Sequence, residues 1–482
     1  MSRLLISAAH KSSGKTTVSV GLCAAITRRG RVVQPFKKGP DYIDPMWLTA
    51  ASGRACRNLD PYLMAREEIV SLFASRAAGA DISVVEGNKG LYDGLALDGS
   101  DSNAALAEML DLPVILVIDA RGMTRGIAPL ILGYQAFNRA IHIAGVILNN
   151  LGGRRHETKL RAVIEHYTDV PVVGAVQHDA RLTVVERHLG LMPSREMDDA
   201  ACRIDEIGSI IGAQVDLDRI VEIAAAAPPL AAPKTSASLT HVSGHRKVRI
   251  GLIRDKSFGF YYPDDLDALQ AAGAAIVPVD ALADPHLPDL DGLIIGGGFP
   301  ELFMGELEAN ATLRTDIRAA IDRGLPVYAE CGGLIYLART LTWHGRTCRM
   351  VGAIPGDVVM HNKPVGRGYV GLTETTANPW PRLAESESIE LRGHEFHYSS
   401  LENLDPHVKF AYRVTRGYGV DGEHDGIVHK NVLASYSHLR SLEAGNWATR
   451  FVAFVRQVKS TTLQRTPVKT ETDTVLKKAV AA

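Results

Sequence analysis

Two groups of residues in this chain have the types and spacing that chemistry requires. The first is Ala9-His10-Lys11-Ser12-Ser13-Gly14-Lys15-Thr16-Thr17, directly after the apolar run Leu4–Ala8. A glycine-containing loop between a strand and a helix points backbone N–H groups inward, and the positive end of the helix adds to their field, so such a loop cradles phosphate. Ser13, Gly14, Lys15, Thr16 and Thr17 are the candidate nucleotide contacts, with Lys15 on the terminal phosphates and the Thr16 hydroxyl on Mg²⁺. Ala9 stands where this pattern usually has its first glycine, and Lys11 is either loop surface or a further phosphate contact. Mg²⁺ prefers hard oxygen ligands, and carboxylates follow the next strands. Asp41 and Asp44 come after Phe36-Lys37-Lys38-Gly39-Pro40, Glu86 ends Val84-Val85-Glu86, and Asp93 follows Asn88-Lys89-Gly90-Leu91-Tyr92. In an open α/β sheet the ligand crevice lies outside the C-terminal ends of the strands, so these four acids are expected to converge on the loop. Lys37 would neutralise a phosphate or an anionic substrate. Asn149, ending a later strand, is a base-reading amide or a plain turn residue.

The second group centres on Val327-Tyr328-Ala329-Glu330-Cys331-Gly332-Gly333-Leu334. A short buried strand running into a helix through a nucleophile and two glycines is the layout of a nucleophile elbow. The helix start lowers a thiol's pKa and offers N–H groups, Gly332 among them, to an oxyanion. Ile294-Ile295-Gly296-Gly297-Gly298 is a second strand-to-glycine turn, and Gly297 and Gly298 could complete the oxyanion hole. A thiol nucleophile needs a base. His394 and His397, in Arg392-Gly393-His394-Glu395-Phe396-His397-Tyr398-Ser399, and His438, after Ala434-Ser435-Tyr436-Ser437, are the candidates.

These groups need elements to hold them. Over residues 1–150, short apolar runs (Leu4–Ala8, Val32–Phe36, Ile82–Glu86, Val114–Ile118, Ile143–Leu148) alternate with helical patterns such as Thr17–Arg29, Arg66–Ala77 and Ser102–Leu110. That rhythm predicts a doubly wound parallel sheet. It continues more weakly to about residue 222. Residues 223–247, rich in Ala, Pro and Ser, predict a linker. From Val248 a second α/β pattern opens, with strands at Val248–Ile253, Ala275–Pro278, Leu293–Ile295 and just before Cys331, and helices at Pro263–Ala272 and Leu313–Arg323. Later short apolar runs predict added β structure up to residue 456. The expected domains are thus 1–222 and 248–456, with 457–482 a loose tail.

The 482 residues allow a sizeable core. A formal net charge of -1 argues against a nucleic-acid partner. No apolar run reaches membrane-spanning length, and the N-terminus lacks the zones of a signal peptide, so no membrane association is expected. Five scattered cysteines without a CxxC predict neither disulfides nor zinc, which fits a cytoplasmic protein.

The chain resembles the cobyrinate and hydrogenobyrinate a,c-diamide synthases. The resemblance rests on Ser13-Gly14-Lys15-Thr16-Thr17, Gly39-Pro40-Asp41-Tyr42-Ile43-Asp44, Asn58-Leu59-Asp60, Gly90-Leu91-Tyr92-Asp93-Gly94, Glu186-Arg187-His188-Leu189-Gly190, Phe260-Tyr261-Tyr262-Pro263-Asp264, Tyr328-Ala329-Glu330-Cys331-Gly332-Gly333 and Gly393-His394-Glu395-Phe396-His397-Tyr398-Ser399. It implies a dethiobiotin-synthetase-like phosphate-loop domain fused to a class I glutamine amidotransferase-like domain. It also implies ATP, Mg²⁺, L-glutamine and a tetrapyrrole substrate, and leaves a homodimer open. By the same resemblance Cys331 is the glutaminase nucleophile and His438 its base. Lys15, Thr16, Asp41 and Glu86 hold ATP and Mg²⁺, and Asp93 lies near the reacting carboxylate. Class I amidotransferases often carry a glutamate two residues after the histidine; here that residue is Arg440, so another group is expected to orient His438. Asn88-Lys89 and the basic Lys37-Lys38 resemble a subgroup that amidates sirohydrochlorin. The implied reaction is amidation of the a and c acetate side chains through acyl phosphates, with ammonia from glutamine. Two rivals stand beside it. A phosphate-loop switch or partitioning ATPase would carry its signature lysine at position 10, which is His10. A cobyric acid synthase would amidate other side chains of the macrocycle.

Overall fold

The computed structural model describes residues 1–182, 186–187, 190–191, 199–230, 247–381, 390–442 and 446–465. His188 and Leu189 of the quoted motif lie outside them, as do 231–246 of the expected linker and 466–482 of the expected tail. The chain divides into two compact units, Met1–Leu239 with Phe260–Leu266, and Thr240–Gly259 with Asp267–Ala482.

The first unit is built on seven strands: β1 (Arg3–Ala8), β2 (Val33–Lys38), β3 (Arg57–Leu59), β4 (Ile82–Glu86), β5 (Val114–Asp119), β6 (Ile143–Leu151) and β7 (Val172–Gln177). Their order is β3-β2-β4-β1-β5-β6-β7 and every pairing is parallel. Leu4, Leu5, Ile6, Val84, Val85, Ile115 and Leu116 are buried, as a parallel sheet covered on both faces demands. The chain winds outward from β1 to β2 and β3, returns to β4, and then builds β5 to β7 on the other side. β1 therefore sits where the strand order reverses, and its C-terminal end carries the phosphate loop.

Helix α1 (Lys15–Arg28) follows that loop, α2 (Ile43–Ser52) follows β2, α3 (Arg66–Ala77) follows β3 and α4 (Asn103–Met109) follows β4. The sequence pattern alone does not show α2, because Pro45 interrupts it. Pro45 falls in the first turn, where its missing N–H costs no helical bond. Helix Leu217–Ala225 takes the first residues of the expected linker.

Phe260–Leu266 was expected in the second domain, yet its contacts are with the first unit. Asp264 pairs with Arg57 at 2.6 Å and Arg76 at 3.4 Å. The Phe260 ring stacks on Tyr42 at 5.2 Å, and Tyr262 packs on the same ring at 4.5 Å.

The second unit holds a ten-stranded sheet of β8 (Val248–Ile253), β9 (Ala274–Val279), β10 (Gly292–Ile295), β11 (Val327–Glu330), β12 (Gly366–Glu374), β13 (Glu390–His397), β14 (Lys409–Arg416), β15 (His424–His429), β16 (Val432–Ser435) and β17 (His438–Leu439). The order is β9-β8-β10-β11-β16-β15-β14-β12-β13-β17. Pairings from β9 to β16 are parallel, and the rest are antiparallel. The added β structure expected late in the chain also includes a separate four-stranded sheet. The helix after Cys331 is short, Gly332–Leu337, because Thr340–Trp343 enters that small sheet. Helix Trp447–Arg465 corrects the expectation of a loose tail from residue 457. Its buried face, Trp447, Phe451 and Val455, repeats every four residues. Beyond it, Lys459 reaches Asp291 at 2.7 Å and Arg456 donates to the Ala272 carbonyl.

Candidate active sites

In the first unit, Gly14 caps the start of α1 with φ 87°, a left-handed conformation that favours glycine. A Cβ there would collide with the Asn149 amide. Asn149 is buried, and its Nδ2 donates to the Ser13 carbonyl at 2.9 Å. Asn149, expected as a base-reading amide or a plain turn residue, thus spends a donor on holding the phosphate loop. The Ser13 hydroxyl donates to the His10 carbonyl at 2.8 Å, and Thr17 reaches the Leu182 carbonyl at 3.4 Å. Both hydroxyls brace the loop.

Thr16, Asp41, Asp44, Glu86 and Lys37 come together. Thr16 Oγ1 donates to Glu86 at 2.7 Å and to Asp44 at 3.3 Å. The Lys37 ammonium lies 2.5 Å from Asp44, 3.0 Å from Glu86 and 3.8 Å from Asp41. Lys37 was expected to meet a phosphate or an anionic substrate; in this structure it neutralises the acids. Its side chain is 3% exposed and that of Glu86 0%. Burial alone would push the Lys37 ammonium down, but Asp44 and Glu86 outweigh it and raise its pKa. Burial also raises the Glu86 and Asp41 carboxyls. On Asp44, burial is outweighed by Lys37, and its carboxyl is lowered. Lys15 is pushed down to about 8 by burial and then by the Lys37 charge, against the pull of Glu86, Asp44 and Asp93.

Asp93 belongs to the same neighbourhood. Its Oδ2 accepts the Gly90 N–H at 2.8 Å, and the Leu91 N–H donates to the Ala8 carbonyl at 2.8 Å, tying this loop to the end of β1. Asn103, which the sequence reading passed over, holds the loop from below. Its amide donates to the Asn88 and Gly90 carbonyls, and its Oδ1 accepts the Asn88 N–H. The only sequence signal for it is its place after Ser102, the cap of α4.

The donor set suits Mg²⁺. A threonine hydroxyl and carboxylates converge, and Glu86 Oε2 is buried without a hydrogen-bond partner. Among the described residues no three His, Cys, Asp or Glu side chains form a metal cage by themselves. Mg²⁺ here would take phosphate oxygens and water to complete its shell. A cleft of about 680 Å³ opens at the opposite, N-terminal ends of β5, β6 and β7, near Leu112, Ile143 and Val170, and contains none of these groups.

In the second unit, Cys331 stands at the end of β11 with φ 47° and ψ -97°, a backbone conformation that L residues rarely adopt. The close approach of the following glycines holds it there. A Cβ on Gly333 would collide with the Ile295 carbonyl, and one on Gly332 would lie 3.0 Å from the Gly298 nitrogen. Gly297–Gly298, a two-residue strand rather than the expected glycine turn, is thus brought beside the elbow, next to Gly332. The Cys331 N–H is committed elsewhere, donating to the Ser435 carbonyl at 2.7 Å.

His438 lies three residues past Ser435. It is buried and hydrogen-bonds Cys331. Its Nδ1 is 3.3 Å from Glu330 Oε2. Burial lowers the imidazole pKa, but the bonds to Cys331 and Glu330 win and raise it to about 10. His394 faces His438 across the β13–β17 pairing, with rings stacked at 4.9 Å. Burial, then the charges of His438 and Arg440, hold His394 well below the ordinary histidine range. His397 meets the Ser399 carbonyl through Nδ1 at 2.8 Å and stacks on Tyr436 at 3.8 Å. Of the three candidate histidines, His438 is the one bonded to the thiol. Arg440, at the position where a glutamate is usual, is buried.

Residues 249–445 match the CobB/CobQ-like glutamine amidotransferase domain family, and residues 2–185 match an AAA domain family. The chain is 48% identical over 459 residues to a cobyrinate a,c-diamide synthase of Magnetococcus marinus, covering 94% of this chain and 97% of that one. This chain belongs to the cobyrinate a,c-diamide synthase family. Two further members are similar at 44% identity, from Methanosarcina acetivorans (91% of this chain, 92% of the other), and at 42%, from Methanosarcina barkeri (95% and 96%). As a member of this diamide synthase family, the chain is an amidating ligase with a glutamine amidotransferase domain and an ATP-binding phosphate-loop domain. Among its described residues no helix is long and apolar enough to cross a membrane.

Proposed function

We propose that this enzyme amidates the a and c acetate side chains of a cobyrinic or hydrogenobyrinic acid-type tetrapyrrole, using ATP and glutamine. The observation that carries the reading is the presence in one chain of two built sites, a phosphate loop ringed by acids and a strained cysteine bonded to a buried histidine. A switch ATPase has no use for the second. Domains 1–222 and 248–456 would house the two chemistries.

In the glutaminase half, the Cys331 sulfur attacks the glutamine carboxamide carbon. The protonated His438 gives its proton to the departing ammonia, and water then hydrolyses the thioester to glutamate. N–H groups of Gly297, Gly298 and Gly332 would hold the oxyanion. In the synthetase half, a substrate carboxylate oxygen takes the γ-phosphoryl group of ATP, ADP leaves, and ammonia displaces phosphate from the acyl phosphate to form the amide. Lys15, with Ser13 and Gly14 of the loop, positions the phosphates, and Asp93 orients the reacting carboxylate. Thr16, Asp44 and Glu86, with Asp41 beside them, would hold Mg²⁺, which supplies charge neutralisation on the transferring group.

The test is Cys331→Ser. Glutamine-supported amidation should fall by about 10³-fold or more, while amidation with high ammonium continues. Equal loss of both would sink the division of labour. A second reading is favoured by Asn88 and the exposed Lys89, at φ 42° in the loop before Asp93. These would suit sirohydrochlorin as the macrocycle. A panel of cobyrinic acid, hydrogenobyrinic acid and sirohydrochlorin, read by product mass, separates the readings. The number and position of added amides also distinguishes cobyric acid synthase chemistry.

A further inference from the structure

The geometry points to Glu330, the residue directly before the nucleophile, as the positioning acid of the glutaminase site, holding His438 with Nδ1–H toward its carboxylate and Nε2 toward Cys331. This rests on the reading of Cys331 and His438 as nucleophile and base. In class I amidotransferases the acid is expected two residues after the histidine, where this chain has Arg440.

Glu330 reaches the imidazole because of strand periodicity. Successive side chains of β11 alternate between faces, so Tyr328 and Glu330 share one. The Tyr328 hydroxyl donates to Glu330 Oε1 at 2.5 Å. The same oxygen accepts the Leu439 N–H at 3.1 Å, and Oε2 meets His438 Nδ1 at 3.3 Å. One buried carboxylate thus fixes the ring of His438 through one oxygen and the backbone of the next residue through the other. Tyr328 is itself held by Trp380 at 5.0 Å and Trp447 at 4.7 Å. The carboxylate therefore cannot drift from the ring without disturbing a packed aromatic group. A carboxylate on Nδ1 selects the tautomer whose Nε2 can take the thiol proton, and it stabilises the imidazolium that results. In this arrangement Glu330 acts as an acceptor that orients the ring, and proton transfer runs between Cys331, His438 and the leaving ammonia. The groups facing His438 are Cys331 and Glu330 on the elbow side, His394 from β13, and Arg440 beyond it in the chain.

Glu330→Gln keeps the shape and an acceptor for Leu439 but removes the charge. Glutamine hydrolysis should fall about 10²- to 10⁴-fold, and the ratio of glutamine- to ammonium-supported amidation should fall with it. The alkaline limb of kcat/KM for glutamine should also move to lower pH by about one unit or more, because an imidazolium without its carboxylate loses its proton earlier. Glu330→Asp should recover part of both effects. A role confined to folding predicts instead a lowered Tm, parallel loss of both activities and an unmoved alkaline limb; that result overturns the assignment. Should the variant not fold, ¹⁵N-histidine NMR of the wild type, with His438→Gln to assign the signal, reads the ring directly. A protonated Nδ1 supports the assignment, and a proton on Nε2 alone overturns it. If Cys331→Ser retains glutamine-supported amidation, the underlying reading fails. If it abolishes that activity while Glu330→Gln changes nothing, only the role of Glu330 fails.

Discussion

Lys37 shows how much one buried residue can hold together. Three carboxylates and an ammonium share a pocket in which Glu86 and Lys37 are almost entirely shielded from water. Buried charges persist only when each is compensated. Lys37→Met should therefore leave Asp44 and Glu86 repelling each other in low dielectric, destabilising the first unit by roughly 3–5 kcal/mol. Thermal unfolding with and without Mg²⁺ checks this. The variant should melt lower and regain much of the loss in Mg²⁺, whereas an unchanged melting temperature would show that the ammonium is not the cluster's counter-ion. The acids were legible in the sequence because each follows a strand beside glycine. The destination of Lys37 was not, since a long side chain at a strand end reaches phosphate space and carboxylate space equally well. Glu330 was hidden for a related reason: a charged residue beside a nucleophile has no visible partner until a distant strand arrives, and His438 is 108 positions away.

Among the elements, the turn after β11 carries the greatest constraint. Cys331 adopts its rare backbone conformation because Gly332 and Gly333 let the next helix press against the Gly298 nitrogen and the Ile295 carbonyl. Gly333→Ala would force that helix away. We expect a loss of about 1–3 kcal/mol in the stability of the second unit and at least a tenfold drop in glutaminase activity, measured by glutamate release, with ammonium-supported amidation retained. Full glutaminase activity in this variant would show that the glycine is not needed for the approach. The strand-to-helix turn itself was predictable, since an apolar run ending in Cys-Gly-Gly allows little else. Helix α2 and the continuation of the last helix through Arg465 were not, because Pro45 and the lysine- and threonine-rich end of the chain mask patterns that tertiary packing completes.

Across the whole molecule, linear order and spatial membership differ at one segment. Phe260–Leu266 follows the start of the second α/β pattern but belongs by contact with the first unit, through Asp264 on Arg57 and Arg76 and two aromatic rings on Tyr42. Asp264→Ala should lower the stability of the first unit by about 1–3 kcal/mol, the cost of leaving a partly buried charge-assisted hydrogen bond unmade. Heat inactivation of ammonium-supported amidation measures it, and an unaltered inactivation rate would mean that these arginines do not depend on Asp264. From sequence alone followed the two α/β patterns, the phosphate loop, the acids after the strands, the elbow cysteine and the three histidines that could serve it, because local spacing and residue chemistry are properties of the chain itself. The tertiary structure decided which histidine bonds the thiol, which carboxylate stands behind it, where the Lys37 ammonium goes and which unit holds residues 260–266. Those outcomes depend on distances between segments far apart in sequence, and periodicity carries no record of them.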